Sequence, residues 1–287
     1  MLKSKTLIMI PAYNAEEFIS RSIDSCLHQT MPTEIWVVDN CSTDKTQQIV
    51  KTYEKKDNRV KLIINDKNYG RVGNWNRCLE IFEQSEFEYL KFLFTGDELL
   101  PECIEEVEKI FLQEDNISLV VWPYIFKEKN GKQRIVKKFT NNIKLNKFDL
   151  VKLKKFPFGN GVPGAIVCHT FAKKAIYGLR FNEEHLGLIA FSNKLINNGD
   201  FYHIDQPLSI FNLDGHNSFT KQFNYLNDLE IAFNRATGLE NEKDWIDKED
   251  YESIKFDILK NLILSLEKQD SRILEFLEFL VNHRKNR

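Results

Sequence analysis

Three short segments set polar side chains directly after apolar runs. Pro11-Ala12-Tyr13-Asn14 follows TLIMI at Thr6–Ile10, Asp39-Asn40 closes EIWVVD at Glu34–Asp39, and Thr95-Gly96-Asp97-Glu98 follows EYLKFLF at Glu88–Phe94. A short run of this kind, apolar on both sides of the chain, suits a strand of a parallel sheet covered by helices on both faces. In open sheets of that kind, ligands bind just outside the carboxyl ends of the strands. The first two segments therefore read as half of a nucleotide site. The third sets two acids at the same kind of position.

The elements that must position these residues follow from local pattern. After Pro11 stops the first strand, Phe18, Ile19, Ile23, Cys26 and Leu27 recur at helical spacing. Asn14 suits the N-cap of that helix, with Glu17 completing a capping box. A second helix is expected from Ser42 or Thr43, with Ile49, Val50 and Tyr53 inward, and a third strand over Val60–Ile64. Asn65–Asn74 reads as a polar loop, followed by a helix carrying Val72, Trp75, Leu79 and Phe82 on one face. Pro101 fits the first turn of the next helix, with Ile104, Val107, Ile110 and Phe111 inside, and Ser118–Trp122 reads as a buried strand.

The rhythm then changes. Asn130-Gly131 between two strand-like runs in Tyr124–Phe139 signals a hairpin. A short helix is expected over residues 147–155, an apolar Gly/Pro-rich loop over 156–164, a strand over Ala165–Cys168 and a helix over 186–198. Late strands are expected at Tyr202–Asp205 and Leu208–Asn212. From Lys221 the pattern is helical, which places a boundary near residue 220. The apolar stripes of this tail could pack on their own domain, form a homodimer seam or cover an acceptor.

The runs IPAYNAEEFISRSIDSCLHQ and EIWVVDNCSTDKT together resemble the opening of the family 2 glycosyltransferases. The resemblance is specific over residues 6–100 and looser to 220. It implies a GT-A fold: an α/β, doubly wound, mixed and mainly parallel sheet with helices on both faces. Residues 1–220 would form the transferase domain, with 1–100 as its nucleotide-binding half and 101–220 as its acceptor half. Residues 221–287 would form a helical C-terminal extension.

The resemblance also assigns roles. Pro11, Ala12, Tyr13 and Asn14 would line the nucleotide, with Tyr13 flanking the base and Asp39 bonding it. Asn68 and Arg71, in NYGR, would form the loop over the base, and Thr95 and Gly96 would border the site. Read from the residues alone, Asp39 could instead cap the following helix and Arg71 could be solvated. Asp97 would touch Mn²⁺ or Mg²⁺, or else serve as a turn residue before the Pro101 helix. The first acid of the family's pair falls at Gly96. The family's catalytic base would fall at Gly187 or Leu188, which carry no proton acceptor. Glu184 is the nearest candidate, and Glu183 and Glu184 could equally complement a helix dipole. The Arg of an Arg-x-His motif is replaced by Asn212. Asp214 or His216 could reach the metal or diphosphate, or lie in a polar loop without such a role.

Composition narrows the partners. A formal net charge of −2 over 287 residues, with Lys and Arg interspersed among acids, argues against nucleic-acid binding. Five cysteines without a CxxC pair suit buried free thiols in a reducing compartment. No signal peptide or membrane-length apolar run is evident, so a cytoplasmic protein is expected. The terminal HRKNR could give peripheral contact with the inner membrane face. The expected function is transfer of a sugar, with inversion, from a nucleoside diphosphate sugar, UDP-sugar favoured, to a hydroxyl of a glycan or glycolipid acceptor. Surface polysaccharide or lipopolysaccharide assembly is the expected setting. The alternative is a catalytically impaired nucleotide-sugar-binding module acting as a partner in a glycan-assembly complex.

Overall fold

A computed structural model describes residues 4–137, 139–146, 149, 166–181, 191, 195 and 198–215. The chain divides between Ser218 and Phe219 into two units. The second unit, with every expected tail helix, lies outside the described residues, as does the loop over 156–164, and of the helix expected over 147–155 only Asp149 is described. Of the helix expected over 186–198, only Phe191, Leu195 and Asn198 are described.

The described elements are, in chain order, β1 (Thr6–Ala12), α1 (Ile19–Leu27), β2 (Glu34–Asp39), α2 (Thr46–Lys56), β3 (Val60–Ile64), α3 (Gly70–Glu83), β4 (Tyr89–Phe92), β5 (Glu98–Leu99), α4 (Cys103–Gln113), β6 (Ile117–Val121), β7 (Tyr124–Lys127), β8 (Gln133–Val136), β9 (Ile143–Leu145), β10 (His169–Ala172), α5 (Lys173–Ile176), β11 (Asp200–His203) and β12 (Ser209–Asn212). Eight strands form one mixed sheet in the order β3-β2-β1-β4-β10-β6-β11-β9. β3, β2, β1 and β4 run parallel, with Ala12 opposite Asp39 and Asp39 opposite Ile64, and β10 is antiparallel to both neighbours. A smaller sheet, β5-β12-β7-β8, contains the expected Asn130-Gly131 hairpin.

Alternation along the strands divides the core. Ile8, Ile10 and Ala12 of β1 and Ile35 and Val37 of β2 pack with Ile19, Ile23 and Cys26 of α1, Val50 of α2 and Ile104 and Val107 of α4. The alternate side chains face α3, which buries Trp75, Cys78, Leu79 and Phe82. Trp75 stacks on Phe94 with centroids 5.1 Å apart, and Phe92 meets Phe171 and Phe181. Glu108 of α4 ties that helix to the start of β1: its Oε1 accepts from Lys5 N and Thr6 N at 2.9 Å and from Thr6 Oγ1 at 2.7 Å.

Several boundaries differ from expectation. Asn14 does not cap α1, which begins only at Ile19; its Oδ1 instead accepts from Thr43 N at 2.8 Å. α2 begins at Thr46 because Asp44 Oδ1 accepts from Thr46 N and Thr46 Oγ1. α3 starts at Gly70, inside the expected loop, where Asn68 Oδ1 accepts from Gly70 N at 2.8 Å. The strand expected at Ala165–Cys168 is a 3₁₀ turn over Ile166–Cys168, and pairing begins at His169. In that turn the Val167 carbonyl accepts from the Lys91 ammonium at 2.7 Å instead of from a neighbouring strand.

No disulfide joins the five cysteines, and Cys26, Cys78, Cys103 and Cys168 are buried. Burial pushes the Cys26 and Cys103 thiols up to about 12. Among the described residues, no helix is long and apolar enough to cross a membrane.

Candidate active site at the carboxyl end of the sheet

The β1, β2, β3 and β4 ends bring most of the expected site residues to one edge of the sheet. The turns are tied to each other across the chain. Asn40 N donates to Ala12 O at 2.9 Å, and Asn14 N donates to Ser42 Oγ at 2.9 Å. Asn14 holds φ 45°, a left-handed conformation that Asn tolerates better than most residues. Tyr13 stands at the mouth of this edge, 50% exposed.

Asp39 is the central group. Its side chain is 0% exposed at the last position of β2. Oδ2 accepts from Ser42 N at 2.9 Å and from Gln47 Nε2 at 2.7 Å. Oδ1 is buried and has no hydrogen-bond partner among the described residues. Asp39 does not cap α2, which begins at Thr46: one of its oxygens braces the β2–α2 loop and the lone pairs of the other are unused among the described residues. A buried acceptor without a partner is costly, so it marks a place where a ligand donor would be rewarded.

The β3–α3 loop is braced by amides. Asn40 Nδ2 donates to Asn68 Oδ1 at 2.8 Å and to Gly70 O at 3.1 Å, and Tyr69 N donates to Asn40 Oδ1. Asn65 Nδ2 donates to Asn40 Oδ1 and Asn74 Oδ1. The Asn68 carbonyl oxygen is thus occupied inside the loop, while Arg71 lies half-buried in the first turn of α3. Asn40, Ser42, Gln47, Asn65 and Asn74 were not expected as site residues. Their polarity is visible in the sequence, but their partners lie in other loops.

On the β4 side, Thr95-Gly96-Asp97 turns under α1. Gly96 N donates to Ser22 Oγ, and Ser22 Oγ donates to Asp97 O, both at 2.9 Å. Asp97 is 1% exposed, and its Oδ1 accepts from Asn212 N at 3.0 Å. Asn212 Nδ2 donates to Gly96 O at 3.0 Å and to Glu98 Oε1 at 2.8 Å. Gly96 has φ +97°, and a Cβ there would meet Gly215 Cα at 2.8 Å. A side chain at position 96 would therefore need the surrounding backbone to shift.

A guanidinium does stand at this end, supplied by α1 instead of β12. Arg21 Nη1 and Nη2 donate to the two carboxylate oxygens of Asp214 at 3.0 and 2.8 Å, and Nε lies 3.9 Å from Glu98 Oε1. The bond to Asp214 raises the Arg21 pKa against the desolvation of its partial burial, and the Glu98 and Asp97 charges add to the rise. Arg21 in turn holds Asp214 below the usual carboxylate range. Glu184 and His216 lie outside the described residues. Among the described residues, no group of three or more His, Cys, Asp or Glu side chains could hold a metal ion.

A family profile described as Glycosyl transferase family 2 matches residues 7–176, more than half of the chain. The chain belongs to glycosyl transferase family 2. An uncharacterised glycosyltransferase of Methanocaldococcus jannaschii is 29% identical to this family 2 chain over 184 residues, 62% of this chain and 60% of that protein. The Escherichia coli protein WfgD, a UDP-Glc:α-D-GlcNAc-diphosphoundecaprenol β-1,3-glucosyltransferase, is 33% identical over 146 residues, 50% of this chain and 54% of its own length. The chain thus matches little more than half the length of these two relatives. The crystal structure of Staphylococcus aureus TarS 1–349 in complex with UDP-GlcNAc superposes with a TM-score of 0.70 at 17% identity, covering 94% of this chain and 75% of TarS 1–349. That likeness bears out the expected GT-A fold, with a mixed, mainly parallel sheet at its centre.

Proposed function

We propose that this family 2 chain is a glycosyltransferase using a nucleoside diphosphate sugar, with UDP-sugar favoured, to extend a surface polysaccharide or lipopolysaccharide. The observation that carries the reading is the Asp39 carboxylate, fully buried at a strand end with Oδ1 unmatched, beside the exposed Tyr13. Tyr13 flanks the base and Asp39 Oδ1 accepts its ring N–H. Pro11, Ala12, Asn14, Asn68 and Arg71 line the nucleotide, and Thr95 and Gly96 border the diphosphate. WfgD, named for a UDP-Glc donor and an α-D-GlcNAc-diphosphoundecaprenol acceptor, and TarS, crystallised with UDP-GlcNAc, support a nucleotide-sugar donor, and WfgD supports a glycolipid acceptor.

In the proposed reaction an acceptor hydroxyl oxygen bonds to the anomeric carbon as the bond from that carbon to the diphosphate oxygen breaks. Inversion follows from this single displacement. The hydroxyl proton passes to a carboxylate, for which Glu184 is the proposed residue, and the electron pair leaves with the nucleoside diphosphate.

The donor chemistry fits Mn²⁺ or Mg²⁺. Asp97 and Glu98 both act on the Arg21 guanidinium that Asp214 bonds, and the buried Asp97 carboxylate lies at the end of the sheet beside Gly96. Such a hard cation is commonly held by one or two carboxylates and completed by substrate phosphate oxygens. Asp97 is the proposed ligand, with His216 as a second. The ion would neutralise charge developing on the leaving diphosphate. Asp97 is also buried and bonded to Asn212 N, which favours a second reading, a binding module with slow or absent turnover.

The test pairs calorimetry with a transfer assay over a panel of nucleotide sugars with Mn²⁺. Asp39→Ala should weaken UDP binding by ~10-fold or more, as loss of a hydrogen bond to a charged group implies. Asp97→Ala should retain nucleotide binding and lose transfer. Tight binding without turnover for any acceptor would favour the module, and unchanged affinity in Asp39→Ala would remove the base-site assignment.

A further inference from the structure

Gln47 lies on the first turn of α2, beyond the residues that close β2. Its side-chain amide reaches Asp39 Oδ2 at 2.7 Å, with the Ser42 carbonyl at 3.5 Å from the same nitrogen. Ser42 N takes the same Oδ2 at 2.9 Å. A carboxylate oxygen offers about two lone-pair sites, so Oδ2 is filled by these two donors. Oδ1 is buried with neither site used among the described residues. Asp39 therefore has one oxygen saturated by its own loop and one whose accepting sites are unused.

We infer that Gln47 is a positioning residue that sets the base selectivity of this site, by restricting Asp39 to one accepting oxygen that reads the imide N–H of uracil. This rests on the reading of Asp39 as the base-binding group. Uracil presents a single ring N–H flanked by two carbonyl oxygens. One carboxylate oxygen matches that edge, and a second free oxygen would face a carbonyl. Guanine presents a ring N–H beside an amino group, a pair of donors that rewards two free carboxylate oxygens. Adenine and cytosine present an acceptor nitrogen beside an amino group, so they lack the ring N–H that Oδ1 would take. Loss of the Gln47 amide vacates one lone pair of Oδ2 and removes the distinction between uracil and guanine.

The experiment is calorimetric binding of UDP, GDP, ADP and CDP to the full chain and to Gln47→Leu and Gln47→Lys. The ratio of GDP to UDP dissociation constants is the readout, because a merely structural role for Gln47 would weaken both nucleotides together. The wild-type chain should prefer UDP. In Gln47→Leu the ratio should fall by ~10-fold, the size expected when one hydrogen bond to a charged group becomes available to guanine. Gln47→Lys still donates to Oδ2 and should keep the wild-type ratio. A wild-type chain that binds GDP as tightly as UDP overturns the inference without any variant. So does a Gln47→Leu protein that binds UDP with the ratio unchanged. Binding of no nucleotide by the wild-type chain overturns the parent reading of Asp39 instead, so the two failures are told apart.

Discussion

Lys91→Met should change how stability depends on pH, and the size of the change follows from burial. Lys91 sits on β4, 0% exposed. Its ammonium donates to Val167 O at 2.7 Å and His169 O at 3.0 Å and lies 4.9 Å from the Trp122 ring centroid. Burial lowers its pKa from an ordinary 10.5 to about 8, against the pull of the nearby Cys103, Cys168 and Asp97. At ~1.4 kcal/mol per pH unit, keeping this group charged in the fold costs ~3 kcal/mol at neutral pH. The cost is fully present below pH 8. Between 8 and 10.5 the unfolded chain binds more protons at this site than the folded chain, so the wild-type protein gains stability as pH rises.

Methionine carries no such charge, so the stability difference between the two proteins should move in favour of wild type by ~1.4 kcal/mol from pH 7 to pH 9. Stranding the Val167 and His169 carbonyls costs the variant ~1–3 kcal/mol each, which offsets the relieved charge but does not vary with pH. Buried thiols and the Tyr89 and Tyr124 hydroxyls, both pushed up to about 12, act in the opposite direction at high pH. Lys91 lowers the Cys26, Cys103 and Cys168 thiols, so its removal raises them further, but at pH 9 and below these folded thiols stay protonated in either protein and leave the difference unchanged. Urea unfolding at pH 6, 7, 8 and 9 measures it. A gap that stays flat across that range refutes a burial-shifted Lys91.

Two further substitutions test the supports around the site. Glu108→Leu removes the carboxylate that accepts from Lys5 N, Thr6 N and Thr6 Oγ1, and should cost ~3 kcal/mol in urea unfolding, with Glu108→Gln recovering part of it. Gly96→Ala must accept φ +97° and a Cβ at 2.8 Å from Gly215 Cα. It should cost ~2 kcal/mol or more and reduce transfer more than UDP binding, because the strain falls beside Asp97 and away from Asp39.

The half of the site nearest β1 and β2 is legible in the sequence because its signals are local. Asp39 ends an apolar run, and Tyr13 comes just after another, whose strand runs through Pro11, where it was expected to stop, as far as Ala12, so strand ends alone bring them to one edge. Helix starts were less legible for a physical reason. Asn14, read by its neighbours, suits a cap for α1. In the fold its carbonyl oxygen goes to Thr43, on a loop that β1–β2 pairing brings alongside. Lys91 carries a signal in the sequence itself: one lysine inside EYLKFLF, a run otherwise fit for burial on both faces.

The β4 side is less legible because its contacts join distant parts of the chain. Asn212 and Asp97 are 115 residues apart, and Arg21 and Asp214 are 193 apart. A missing arginine at Asn212 reads, along the sequence, as a lost positive charge. In space the charge is present, because α1 crosses the same edge and carries Arg21 there. The Asn212 side chain is then free to join Gly96 O to Glu98 Oε1, two partners that differ in kind, an acceptor backbone and an acceptor carboxylate. An amide with two N–H donors can serve both at once, whereas a guanidinium at that position would add a second cation beside Arg21. The exchange at 212 and the arginine at 21 are therefore two parts of one electrostatic arrangement. Its two halves cannot be weighed separately by reading either segment alone.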